Sequence, residues 1–140
     1  MLQKMGGNHV PIVPKILLMD DEEGIRDVAG KILEHLNCDA ELAANGEEAM
    51  ALFQKARESG RPFDLLILDL SIPGGMSGLD TMKQLQGIDP DVKAVLSTGY
   101  SDDPIVEDFR QLGFLGIMPK PYRIDDIREI LTRLVPGYTG

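Results

Sequence analysis

Four short segments carry residue types that chemistry uses. Asp20-Asp21 is followed by Glu22-Glu23, Asp69 ends an apolar run, Ser97-Thr98-Gly99 follows another, and Lys120 sits between Pro119 and Pro121. Two carboxylates ~4 Å apart repel by roughly 4 kcal/mol at an effective dielectric of about 20. If Asp20, Asp21 and Asp69 converge, the cluster therefore needs a cation or protonation. Hard oxygen ligands with room for water suit Mg²⁺, which holds a few carboxylates, several waters and a phosphate oxygen. A hydroxyl on one side and an ammonium on the other add donors for an incoming anion. Together these groups make a phosphoryl-transfer site on chemical grounds. Each has a plainer reading. Asp20 and Asp21 suit the positive N-terminus of a following helix, as do Glu22 and Glu23, Asp69 suits a turn, and a lone lysine is usually a solvated charge. Convergence decides between the two readings.

Convergence depends on the elements that carry these residues. Residues 1–14 contain Gly6, Gly7, Pro11 and Pro14 and show no periodicity, so they read as a flexible lead-in or a cloning remnant. From Lys15 a regular alternation begins. Ile16 to Met19 reads as a buried strand, and Ile25, Val28, Ala29, Ile32 and Leu36 mark one face of a helix. Ala40 to Ala43 is a weaker strand. Asn45 and Glu48 form a capping box ahead of a helix faced by Ala49, Leu52, Phe53 and Ala56, which stops at Ser59 to Pro62. Leu65 to Leu68 is a third strand, and Leu79, Met82 and Leu85 mark a third helix. Val92 to Leu96 is a fourth strand. Asp103-Pro104 reads as a cap opening a fourth helix with Ile105, Phe109 and Leu112 inward. Leu115 to Met118 is a fifth strand, and Ile124, Ile127, Ile130, Leu131 and Leu134 line a last helix before Pro136-Gly137.

Five strand–helix units with unalternating apolar strands imply a parallel sheet covered on both faces. Right-handed crossovers then give a doubly wound, three-layer α/β/α sandwich. Ligands of such sheets bind at the carboxyl ends of the strands, where all four segments fall. The chain has 140 residues, 43% hydrophobic and 26% charged, and a formal charge of −9. That is one domain's length and a folded composition. The acidic balance argues against a phosphate-backbone partner. No apolar run nears the ~20 residues that a membrane span needs, and no secretory leader opens the chain. The expectation is a soluble cytoplasmic protein without direct nucleic-acid or membrane contact. The single cysteine, Cys38, excludes an internal disulfide and a multi-cysteine metal site.

The runs ILLMDDEE, LLILDLSIPGGMSGLD, AVLSTGYSDD and MPKPY, in that order, resemble the receiver domain of bacterial two-component response regulators over residues 15–135. The resemblance implies a flavodoxin-like sheet of strand order 2-1-3-4-5 and a phosphoryl group received from a histidine kinase or a histidine phosphotransfer protein. It implies that Asp69 is the phosphoacceptor and that Asp21 and Asp69 ligate Mg²⁺ directly, with Asp20 acting more through water. The backbone carbonyl of Ser71 is a further implied ligand. Thr98, rather than Ser97, would donate to a phosphoryl oxygen, because the family places a small residue, here Gly99, after it. Lys120 would pair with the phosphoryl group, next to a cis Lys120–Pro121 bond. Signalling would pass through the face formed by the fourth helix, fifth strand and fifth helix. The whole-chain character is most similar to receivers attached to hybrid sensor histidine kinases. Residues 136–140 then read as a tail, the receiver as either free-standing or one part of a longer protein, and a homodimer stays open.

Two features depart from the family pattern. The loop from Ser71 to Gly78 carries an added glycine. Position 117, where receivers often place Tyr or Phe, holds Ile117. Tyr100, two residues past Thr98, sits where family side chains shield the phosphoryl group. His35 reads as a solvated helix residue and His9 as part of the lead-in. An aspartyl-phosphatase reading lacks its general acid in Asp69-Leu70-Ser71, and no G-x-x-x-x-G-K stretch supports a P-loop. The remaining alternative is a pseudo-receiver that docks partners without being phosphorylated.

Overall fold

The computed structural model describes residues 2, 3, 5, 6, 12–70, 72–99 and 108–139. Leu2–Gln3 and Met5–Gly6 are two-residue extended pieces ahead of the main body. The body runs β1 (Lys15–Met19), α1 (Glu23–His35), β2 (Asp39–Ala43), α2 (Gly46–Glu58), β3 (Leu65–Asp69), α3 (Gly78–Ile88), β4 (Ala94–Thr98), β5 (Gly116–Pro119) and α4 (Ile124–Leu134). All strand pairs are parallel and the order is β2-β1-β3-β4-β5, the doubly wound arrangement that the sequence implies.

The pleat sorts the apolar strands between two cores. Ile16, Leu18, Ile67 and Val95 pack with Ala29, Leu33, Ile127 and Leu131 on the α1–α4 side. Leu17, Met19, Leu66, Leu68 and Leu96 pack with Ala49, Phe53, Met82 and Leu85 on the α2–α3 side. Both faces of β1, β3 and β4 are buried, which is why these strands read as unbroken apolar runs. In β2, at the sheet edge, only Ala43 is fully buried. Leu33 is completely enclosed. Leu33→Ala is expected to lower unfolding stability by about 3 kcal/mol, read as a lower denaturation midpoint at unchanged slope. An unchanged midpoint would mean that α1 does not hold the sheet.

Local signals fix the helix ends. Asn45 Oδ1 accepts from the Glu48 N–H at 2.9 Å, while Glu48 Oε1 accepts from the Ala44 N–H at 2.9 Å, a capping box reaching one residue further back than the standard form. Asn37 and Gly60 end α1 and α2 in the left-handed region, at φ 64° and 84°. Each carries the paired hydrogen bonds of a Schellman cap, with Cys38 N–H on Leu33 O and Arg61 N–H on Ala56 O. Residues 109–114 close in the same way, with Phe114 N–H on Phe109 O at 3.0 Å and Gly113 N–H on Arg110 O at 3.0 Å. This is the C-terminal pattern of the helix expected over 103–112, and Phe109 and Leu112 pack against the α3-side core. Its expected cap, Asp103-Pro104, and Ile105 lie outside the described residues.

Strand ends shift from expectation by one or two residues: β1 and β2 begin one residue earlier, β3 extends through Asp69, and β5 runs one residue later, from Gly116 to Pro119. β4 begins two residues later and runs through Thr98, because a turn, Val92 N–H on Asp89 O, holds its expected start. Beyond α4 the chain turns at Gly137, and Tyr138 packs into the α1-side core, its hydroxyl donating to Leu36 O at 2.8 Å. Among the described residues, no helix is long and apolar enough to cross a membrane.

Candidate functional site

The register places the polar residues. Met19 of β1 pairs with Leu68 of β3, so Asp20 and Asp69 leave neighbouring strands at the same level. Asp69 pairs with Ser97, and Thr98 with Pro119, which sets Lys120 one step beyond the end of β4. The Lys120 N–H donates to Thr98 O at 3.0 Å and the Leu70 N–H to Ser97 O at 2.9 Å, tying the three strand ends together.

Asp20, Asp21 and Asp69 each offer a carboxylate oxygen, and these oxygens lie within 4.8 Å of one another. Asp20 is fully buried, Asp69 is 4% exposed and Asp21 is exposed, so the cluster opens to solvent on one side. Lys120 Nζ lies 2.8 Å from Asp20 Oδ2 and donates to Asp69 Oδ2 at 3.0 Å. The approach to Asp20 is an ion contact off the hydrogen-bond direction. Asp20 Oδ2 therefore accepts no hydrogen bond among the described residues, although it is wholly buried. One ammonium among three carboxylates leaves negative charge over, and a buried carboxylate oxygen without a hydrogen bond is costly. The donor set and that oxygen fit a hard divalent cation such as Mg²⁺.

Burial alone would lower the Lys120 pKa, but the neighbouring Asp20 and Asp69 carboxylates outweigh it and raise it above the ordinary lysine value. Asp20 also serves the plainer role. Its Oδ1 accepts from the Glu22 N–H at 3.0 Å, capping the entry to α1, and Arg26 Nη1 donates to Asp20 O at 2.8 Å. Glu22, Glu23 and His35 are exposed; Glu23 is the first-turn acid, while Glu22 stands one residue earlier, at the N-cap of α1.

The site residues that the sequence singled out fall together at one end of the sheet: Asp20, Asp21, Asp69, Thr98 and Lys120. Thr98 is buried, and the Lys120–Pro121 bond is cis. Ser71, Tyr100 and His9 lie outside the described residues. The added glycine of the loop after Asp69 forms part of a turn, Ile72-Pro73-Gly74-Gly75, closed by Gly75 N–H on Ile72 O at 3.2 Å. Proline second and a left-handed Gly74 (φ 73°) third suit a type II turn. Ile117 is half-buried against the α3-side core, without a ring to turn. Sequence reading gave no special place to Arg26, nor to the buried pair Ser97 Oγ···Tyr122 Oη at 2.7 Å. The strand alternation could have hinted at Ser97, since its neighbours Leu96 and Thr98 point to the other face. Nothing in the sequence gives its partner.

Cys38 is half-buried at the far end of α1. Burial first, and the Asp64 charge second, push its thiol up to about 11, so it is protonated and unreactive near neutrality.

Comparison with known proteins agrees with this geometry. The chain is 32% identical to sporulation initiation phosphotransferase F of Bacillus subtilis over 122 residues, covering 87% of this chain and 94% of the relative. It is also 32% identical to the response regulator protein PilR of Pseudomonas aeruginosa over 84% of this chain, but spans only 25% of that longer protein. Among solved structures, the chemotaxis protein CheY4 of Vibrio cholerae superposes with a TM-score of 0.78 at 26% identity, covering 88% of this chain and 99% of the other. The response regulator receiver domain model matches residues 16–132. Fold, strand-end acids and these likenesses agree, and the chain belongs to the response regulator receiver domain family, the phospho-accepting modules of two-component signalling.

Proposed function

We propose that Asp69 accepts a phosphoryl group from a phosphohistidine on a histidine kinase or a histidine phosphotransfer protein. The observation that carries this is the contact of Lys120 with both Asp20 and Asp69 inside an acid cluster at the carboxyl edge of the sheet. In the transfer the P–N bond breaks, an O–P bond forms to an Asp69 oxygen, and the imidazole nitrogen keeps the electron pair. Asp20, Asp21 and Asp69 would hold Mg²⁺, with the Ser71 carbonyl a further ligand. When bound, the ion neutralises the acids so that a dianionic group can approach Asp69. Thr98 and Lys120 donate to the arriving oxygens. In this reading the chain is an acceptor and switch, not an enzyme acting on another substrate, and it works in the cytoplasm. Its output passes through β5, α4 and the segment before Phe114. The −9 charge gives no support to direct nucleic-acid binding.

The test is intact mass after incubation with Mg²⁺ and acetyl phosphate, with Asp69→Asn alongside. One added phosphoryl group, absent in the variant and without Mg²⁺, is expected. No gain by a folded wild-type chain, together with retained partner binding, would favour a docking module instead.

A protein donor must also seat itself beside Lys120. The neighbouring surface is apolar: Gly24, Ile25 and Val28 of α1 face Pro121 and Tyr122 across a cleft, and Val28 is 51% exposed. An exposed apolar cleft at a reactive centre suits an apolar surface of the protein that carries the phosphohistidine. Val28→Asp is expected to slow transfer from a phosphohistidine protein at least ~10-fold, on the scale of an interface hot spot. Acetyl phosphate, which needs no docking, should react as before. Equal slowing with both donors would count against this surface.

A further inference from the structure

We infer that the Ser97–Tyr122 pair is a strut that positions Thr98 and Lys120 around Asp69. The inference rests on the phosphoacceptor reading above and adds two positioning residues to it.

The pair joins two places that the reaction needs. Ser97 immediately precedes Thr98, and Tyr122 lies two residues past Lys120. Their hydroxyls meet at 2.7 Å, with Ser97 fully enclosed and Tyr122 7% exposed. Ser97 is also a node, because its carbonyl accepts the N–H of Leu70, the residue after Asp69. Through one residue, the strand end bearing the acceptor and the loop bearing the lysine are tied to the strand end bearing Thr98. The only described backbone tie between Lys120 and the β4 end is Lys120 N–H on Thr98 O at 3.0 Å. A second tie, made by side chains on the α1 side, fixes the rotation of the loop that the single bond leaves open.

The surroundings favour a polar strut over a packing contact. Tyr122 lies in the α1-side core with Leu18, Val95 and Met118, where an unpaired hydroxyl would be costly. Burial first raises the pKa of its phenol, the Ser97 bond opposes that rise, and the charges of Asp20 and Asp69 add to it. The ring thus stands within the field of the acid cluster, where a change of charge at Asp69 is felt. Ile117, at the position where a ring is common in receivers, has no hydroxyl to make such a link. Here the polar link lies on the other side of Lys120.

The test uses Tyr122→Phe, Ser97→Ala, the double variant and Ser97→Thr. Amide hydrogen exchange is followed in the resting protein, and the rate of phosphoryl uptake from acetyl phosphate with Mg²⁺ is measured. Each single removal is expected to speed exchange of the Lys120 and Leu70 amides and to slow uptake about 10-fold, the scale of one hydrogen bond. The double variant should be no slower than either single one, and Ser97→Thr, which keeps a hydroxyl, should restore the rate. Faster exchange with an unchanged rate would reduce the pair to a structural contact. Unchanged exchange, or losses that multiply in the double variant, would overturn the strut. A wild-type chain that takes no phosphoryl group fails differently, since every variant then behaves alike. That result removes the acceptor reading and the positioning role with it.

Discussion

Gly78→Ala is expected to cut phosphoryl uptake about 100-fold, although alanine is the better helix former. Gly78 opens α3, and a Cβ there would lie 2.3 Å from Asp69 O and 2.9 Å from Asp69 C. Those are backbone atoms of the acceptor and cannot swing away. The gain in helix propensity is about 1 kcal/mol at most. Overpacking against fixed atoms costs typically 1–3 kcal/mol, so sterics outweigh propensity. Relief requires either β3 or the start of α3 to move. A misplacement of ~1 Å at a reacting group can cost about 10²-fold in rate. Gly87→Ala in the same helix is the control. Nothing lies within 4 Å of its added Cβ, so it should stabilise by about 0.5 kcal/mol and leave the rate alone. The measurement is the uptake rate from acetyl phosphate, with thermal midpoints for both variants. A Gly78→Ala chain that reacts at the wild-type rate would show that α3 does not set the acceptor's position.

How much of this was legible in the sequence follows from the range of each interaction. The strands were readable because β1, β3 and β4 are buried on both faces, so their apolar runs need no partner to be recognised. The acids were readable because each ends such a run, and a doubly wound sheet gathers its strand ends. Helix caps were readable where the signal is local, as at Asn45 and Glu48. What escaped was set by contacts between distant residues. Ser97 and Tyr122 are 25 positions apart, and either alone reads as ordinary. Tyr138, in a stretch read as a tail, finds its acceptor 102 positions away in Leu36. Val92 is apolar and reads as the start of β4, yet a turn at Asp89 claims its N–H. Gly78 was visible as a letter but not as a contact with Asp69.

Lys120→Met tests the charge balance of the site, and two effects are expected. Phosphoryl uptake should fall at least 100-fold, as when one charge-stabilising donor is removed from an active centre. Stability without Mg²⁺ should also fall, because Asp20 Oδ2 would keep neither a hydrogen bond nor its 2.8 Å ammonium. Removing one partner of a fully buried pair costs about 3–5 kcal/mol. The Lys120 side chain keeps 16% of its surface, so about 2 kcal/mol is the better expectation. Mg²⁺ should recover more stability in the variant than in the wild type, since it replaces the missing positive charge; at about 100 times its Kd an ion adds roughly 2.7 kcal/mol. Alkali gives an independent check. The folded pKa of Lys120 is raised, so its contribution is complete below the ordinary value of 10.5 and is lost as pH rises through the folded value. Cys38 and Tyr122, whose pKa values are also raised, weaken the fold in alkali in both proteins. The gap in stability between wild type and Lys120→Met should therefore stay constant to about pH 10 and then close. A gap that persists into strong alkali would mean that Lys120 supports the site through its packed stem rather than its charge.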